Sequence, residues 1–193
     1  VLSSIFGPLI RGYTLRLGKV LYRTGISPNA VTVTGLFLNA LVALVLAGGY
    51  YTTGGICVWL AGSFDMLDGA IAHAGNKVTR FGSFLDSTLD RYSEAVLLLG
   101  LLWHFLQTGN DTAAMLTYIT FVGSIMISYT RARSEALGVR NETGLFARTE
   151  RVVILGALLI IRQPVLALWI LAIGTNLTAA QRVYHVYRAP GSS

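Results

Sequence analysis

From residue 30 onward apolar positions dominate the chain, and polar residues collect at a few breaks. Ile26-Ser27-Pro28-Asn29 reads as a helix start, with Ser27 as N-cap and Pro28 at the first helical position. Residues 30–49 form an uncharged run, long enough to span a bilayer, which takes roughly 20 residues. Gly48-Gly49 marks a turn. Further spans are predicted over residues 53–74, 81–106, 112–137, 150–161 and 164–187. The fifth is short for a crossing. Arg162-Gln163-Pro164 predicts a tight turn before the sixth. Ahead of all these, residues 4–24 alternate Ile5, Leu9, Tyr13, Leu17, Val20 and Leu21 with Arg11, Arg16, Lys19 and Arg23. That predicts an amphipathic helix lying on a membrane surface, with a helix packed on the body as the other reading. The same arginines interrupt any apolar leader, so no cleavable signal is expected.

The predicted architecture is therefore an all-α integral membrane protein. Residues 1–27 form an amphipathic juxtamembrane helix, 28–188 a six-helix transmembrane domain, and 189–193 a tail. Composition agrees. Hydrophobic residues make up 53% and charged residues only 12%, against roughly 25% charged in soluble domains. The net charge of +6 is a membrane-surface signal in so apolar a chain, and no nucleic-acid partner is expected. The lone Cys57 leaves no disulfide and no cysteine metal cluster. Six crossings put every Lys and Arg except Arg162 on one side, which the positive-inside rule makes cytoplasmic. The expected location is the cytoplasmic membrane.

Against this background the stretch from Asp65 to Asp90 stands out. Four of the nine acidic residues fall in it: Asp65, Asp68, Asp86 and Asp90. A carboxylate in apolar surroundings is costly without a partner. Asp65 and Asp68 are three apart, and Asp86 and Asp90 four apart, so each pair shares a helix face. An antiparallel hairpin of spans two and three would bring the pairs together. Facing carboxylates repel without a cation, and all-oxygen ligands favour Mg²⁺, Mn²⁺ or Ca²⁺. There is room for two ions, as in two-metal phosphoryl chemistry. Spacing alone leaves other readings open. The acids could pair with Arg80, Arg91 and Arg131, or line an ion path.

The pattern Asp65-x-x-Asp68-Gly69-x-x-Ala72, then Gly82-x-x-x-Asp86-x-x-x-Asp90, resembles the signature of the CDP-alcohol phosphotransferase family. One position departs: His73 stands where the family usually has Arg. The resemblance implies a metal-dependent enzyme that binds a CDP-lipid, such as CDP-diacylglycerol, and transfers its phosphatidyl group to an alcohol, releasing CMP. It implies Mg²⁺ or Mn²⁺, two ions, on Asp65, Asp68 and Asp86. Asp90 would be the general base and also a ligand of the second metal. Pro28, Asn29, Ala30, Val31, Gly69, His73 and Thr79 would contact the CDP-lipid. A homodimer is expected by the same analogy.

The acceptor is addressed by arginines. Arg131 and Arg133 close span four, Arg148 and Arg151 open span five, and Arg182 ends the polar part of span six. Several arginines beside a phosphoryl-transfer site suit a phosphorylated polyol, which each can grip bidentately. The bland alternative is positive-inside anchoring. These segments resemble the actinobacterial phosphatidylinositol phosphate synthases, whose acceptor is inositol phosphate, although Arg131 replaces a usual Lys. Glycerol 3-phosphate, the acceptor of phosphatidylglycerophosphate synthases, is the alternative. Readings of another class are a cation transporter using the four acids and an inactive membrane scaffold.

Overall fold

Ser27 caps the first helix as expected: its backbone is extended, and its Oγ accepts the N–H of Ala30 at 3.2 Å. The structure, a computed structural model, describes residues 27–74, 79–141 and 143–189, apart from the side chains of residues 66, 68 and 72–74. The expectations for residues 1–26 and for most of the tail lie outside these. Six helices follow in order: α1 (Pro28–Ala47), α2 (Tyr51–Ala74), α3 (Arg80–Gln107), α4 (Asp111–Ala136), α5 (Arg148–Ile160) and α6 (Pro164–Tyr187). All begin and end within about two residues of the predicted bounds, inside the usual uncertainty of helix ends. Thr79 Oγ1 caps α3 by accepting the Gly82 N–H at 2.9 Å, and Asn110 Oδ1 caps α4 by accepting the Ala113 N–H at 3.0 Å. Gly49, at φ 78°, lets the chain reverse between α1 and α2.

Close contacts set the topology. A Cβ on Gly100 of α3 would fall 2.3 Å from the Ala43 carbonyl oxygen of α1, and one on Gly82 would fall 3.2 Å from Asn29 Oδ1. Residues 29 to 43 of α1 therefore run alongside 82 to 100 of α3 in the same direction. Gly54 of α2 faces Leu46, while Gly35 faces Asp65, so α2 runs against α1. Gly123 of α4 abuts Thr175 of α6, and Arg182 reaches Ile127, so these two are parallel. The bundle alternates up and down, which leaves one end of every helix at a common face. The polar ends meet there: the starts of α1, α3 and α5 and the ends of α2, α4 and α6. The apolar halves fill the other end, around Leu46, Val58, Leu101, Phe105, Leu159 and Leu168.

Beside that apolar core, the distribution of small polar and large apolar residues differs from that of a soluble bundle. Thr117, Thr120, Ser124, Thr175 and Thr178 are buried between α4 and α6, whereas Phe37, Leu44, Leu60, Tyr118 and Ile173 point outward. Small and hydroxylated residues between helices with large apolar ones outside is how helices pack in lipid, where close backbone approach replaces the hydrophobic drive. The helices α1, α4 and α6 are long and apolar enough to cross a membrane. The charges of α2 and α3 set those two apart, and α5 has only 13 residues.

Candidate functional site

Two acids and one arginine meet at the polar end. Asp65 lies in the last half of α2, Asp90 in the first half of α3, and Arg148 opens α5. One guanidinium nitrogen of Arg148 donates to Asp65 Oδ2 at 2.7 Å, and the other approaches Asp90 Oδ1 at 2.7 Å. Two carboxylates from different helices thus close on a single cation. Asp86, one turn before Asp90, acts electrostatically on it, as does Asp65. The donors are all oxygen, and Asp65, Asp86 and Asp90 together carry more negative charge than Arg148 and Arg91, the latter 4.0 Å from Asp90, offset, which fits a hard divalent ion. Among the described residues no three acidic, histidine or cysteine groups form a metal-ready cluster, and the side chain of Asp68, the remaining acid of the pattern, lies outside them. The side chain of His73 lies outside them as well.

Gly35 of α1 belongs to this site, although nothing in its sequence context marks it. A Cβ there would lie 2.3 Å from Asp65 Oδ1. The bare backbone of α1 is what lets the Asp65 carboxylate lie between the helices. Gly35→Ala is expected to leave the protein folded but cut turnover by about 10- to 100-fold, the scale of a roughly 1 Å misplacement of a reacting group. Thermal melting and steady-state rates measured on the same preparation would check it. Unchanged rates would mean that the carboxylate's position there is not critical.

Of the residues expected to bind the CDP-lipid, those at the starts of α1 and α3 come together. Asn29 and Thr79 meet at Gly82, where a Cβ would fall 2.9 Å from Thr79 Oγ1. Pro28, Ala30 and Val31 share the first turns of α1 with Asn29. At Gly69 a Cβ would meet nothing within 4 Å among the described residues.

A cavity of about 90 Å³ opens on the other side of Arg148. Its charged lining is Asp90, Arg91, Glu94, Arg131, Arg148, Arg151 and Arg182. A narrower one of about 30 Å³ lies on the Asp65 side, and Arg148 and Arg151 border both. The arginines are held differently. Arg151 is buried and forks onto both oxygens of Glu94, at 2.7 and 2.8 Å, and also donates to the Phe146 carbonyl at 3.0 Å. Arg182, also buried, donates to the carbonyls of Thr143 at 2.8 Å and Ile127 at 2.6 Å, which ties the loop before α5 to α4 and α6. Arg131 is exposed and pairs with Glu135 at 2.8 Å. Arg133 does not line the cavity. Two residues along a helix turn a side chain about 200° away, and it points outward. Glu94 is visible in the sequence as the next step of the stripe Asp86, Asp90, Glu94, spaced by four, but its partner is not.

A family model described as CDP-alcohol phosphatidyltransferase matches residues 25–180. The phosphatidylinositol phosphate synthase of Mycobacteroides abscessus is 38% identical over 185 residues, covering 91% of this chain and 84% of the relative. The crystal structure of the Mycobacterium tuberculosis phosphatidylinositol phosphate synthase with CDP-DAG bound superposes with a TM-score of 0.86 at 33% identity, covering 93% of this chain and 96% of that one. A second structure of that enzyme, in complex with manganese and citrate, gives 0.85 at 33% identity, covering 93% and 91%.

Proposed function

The chain belongs to the CDP-alcohol phosphatidyltransferase family, and from that premise we propose that it transfers the phosphatidyl group of CDP-diacylglycerol to inositol phosphate, releasing CMP. The observation that carries the acceptor is the juxtaposition of Asp90 with a cavity bordered by five arginines. An uncharged polyol has no use for five guanidinium groups at the reacting carboxylate; a phosphate does.

The roles follow from position. Asp65, Asp68, Asp86 and Asp90 would hold two Mg²⁺ or Mn²⁺ ions, the Asp65–Asp90 pair being a cation seat already. When bound, such ions supply positive charge against the pyrophosphate oxygens of the donor. Asn29, Thr79 and Gly82 gather the starts of α1 and α3 into a polar corner for the CDP moiety, which Gly69 would also contact. Asp90 borders both the acids and the cavity, so it can take the proton from the acceptor hydroxyl. The freed oxygen attacks the phosphorus that bears the lipid, and the bond to the CMP oxygen breaks. Arg131 and Arg148, at least partly exposed, would meet the acceptor phosphate first. Arg151 and Arg182 stand behind them with N–H groups to spare, since five are available on each and Glu94 and backbone carbonyls engage only some.

We also read the six helices as six crossings, preceded by an interfacial helix in residues 1–27, with the site on the cytoplasmic face. The distribution of Lys and Arg supports that orientation. The fifth crossing, about 20 Å long at 1.5 Å per residue, needs its flanks or a thinned bilayer. A homodimer fits the large apolar side chains exposed on α3 and α4, Leu99, Trp103, Tyr118 and Met115 among them.

The test is an acceptor screen. Purified protein with Mn²⁺ and CDP-diacylglycerol is expected to release CMP with inositol 1-phosphate, and far less with inositol or serine. Release with glycerol 3-phosphate instead would move the acceptor assignment. Release with no phosphorylated polyol would overturn it.

A further inference from the structure

We propose that Arg148 is a tethered counter-ion that competes with divalent metal for Asp65 and Asp90 and, once displaced, joins the arginines that grip the acceptor phosphate. The proposal rests on the reading that Asp65 and Asp90 are metal ligands. It adds a coupling that this reading does not contain: metal and acceptor phosphate reinforce one another through a single side chain.

Geometry carries the competition. Arg148 puts one nitrogen on each carboxylate, both at 2.7 Å. Those oxygens cannot hold a guanidinium in that fork and a divalent cation together, because the two cations would lie within a few ångströms of each other at a site shielded from water. The Asp65 side chain is only 9% exposed and the Asp90 side chain 16%, whereas Arg148 is 34% exposed. The acids are fixed in the bundle and the arginine is the partner with room to move.

Local electrostatics make it easy to dislodge. Arg148 is the first residue of α5, and its N-cap Ala147 makes no side-chain cap bond. A cation there faces the positive end of the helix dipole. Glu150 in the same turn has the sign that the dipole favours; Arg148 has the opposite one. Its grip therefore depends on the two carboxylates rather than on its own helix.

The destination is also defined. Arg148 borders both cavities, and the wider one also holds Arg91, Arg131, Arg151 and Arg182. A fifth guanidinium turned into that group is repelled when the cavity is empty of anions and welcomed when a phosphate occupies it. Metal binding that frees Arg148 thus becomes easier with an anionic acceptor present, and by linkage the acceptor binds better with metal present.

The experiment measures Mn²⁺ affinity directly, by electron paramagnetic resonance of free Mn²⁺ over purified protein without CDP-lipid, so that no turnover enters. In the wild type, saturating inositol 1-phosphate is expected to tighten Mn²⁺ binding by about tenfold, within the usual range of coupling between sites. Arg148→Gln is expected to tighten Mn²⁺ binding by a similar factor without the anion, and to remove most of the anion's effect. Arg148→Lys, which keeps the charge but cannot fork, is expected to fall between. An Arg148→Gln protein that binds Mn²⁺ no more tightly than wild type overturns the competition, as does a wild type whose Mn²⁺ affinity ignores the anion. The second measurement needs no variant and stands even if the substitution unfolds the protein. A wild type that takes up no Mn²⁺ overturns both this inference and the metal reading beneath it, whereas Mn²⁺ uptake lost in Asp65→Asn but indifferent to Arg148 overturns this inference alone.

Discussion

Asp90→Asn is expected to lower CMP release by about 10²- to 10⁴-fold, the span that general-base catalysis ordinarily supplies. The amide keeps the size of the carboxylate but cannot take the hydroxyl proton. The substitution also tests which of two tasks Asp90 performs. Held by Arg148 at 2.7 Å and bordering the arginine-lined cavity, its carboxylate stands between the other acids and the proposed acceptor site. If proton removal dominates, CDP-diacylglycerol binding survives while kcat collapses. If binding of the CDP-lipid collapses as well, Asp90 is chiefly a metal ligand and the base lies elsewhere. Binding of the CDP-lipid to detergent-purified protein, measured beside single-turnover rates, separates the two.

Glu94→Ala is expected to cost about 3–5 kcal/mol of stability, the usual penalty for leaving a buried charge without its partner. Arg151 has both bonds of its fork on Glu94 and almost no contact with solvent. Removing Glu94 leaves the guanidinium with the Phe146 carbonyl as its remaining hydrogen-bond acceptor among the described residues. Thermal unfolding should show the loss directly. The double substitution of Glu94 to Leu and Arg151 to Met should recover much of the stability, because apolar groups of similar size can replace a buried ion pair. Its acceptor KM should remain raised, because Arg151 also lines the cavity proposed for the acceptor. A double variant with normal acceptor KM would make Arg151 purely structural. A Glu94→Ala protein as stable as wild type would show that the pair holds nothing together.

These two expectations draw on different levels of information. Asp90 is legible in the chain itself, because the spacing of Asp65, Asp68, Asp86 and Asp90 with Gly69 and Gly82 is written in consecutive turns of two helices. The helices are equally legible: Ser27-Pro28 starts one, Gly48-Gly49 ends it, and long apolar runs leave few other states for the chain in lipid. The side on which the arginines collect follows from alternation alone.

Other features of the site depend on how the helices cross. Gly35 reads as any glycine in an apolar span until α1 is laid against α2 and its bare backbone meets Asp65. Arg131 and Arg133 look equivalent in the chain, yet one borders the cavity and the other faces away. Arg148 and Arg151 both look free to grip an acceptor, but one is held by Asp65 and Asp90 and the other by Glu94. The cause is range. Periodicity and capping act over three or four residues, so the sequence by itself determined the helices, their order, the sidedness of charge and the acid pattern. Which cation meets which carboxylate is decided between residues as far apart as 65 and 148, across an interface whose register is set by glycines packed against neighbouring backbone. Only the tertiary structure decided that.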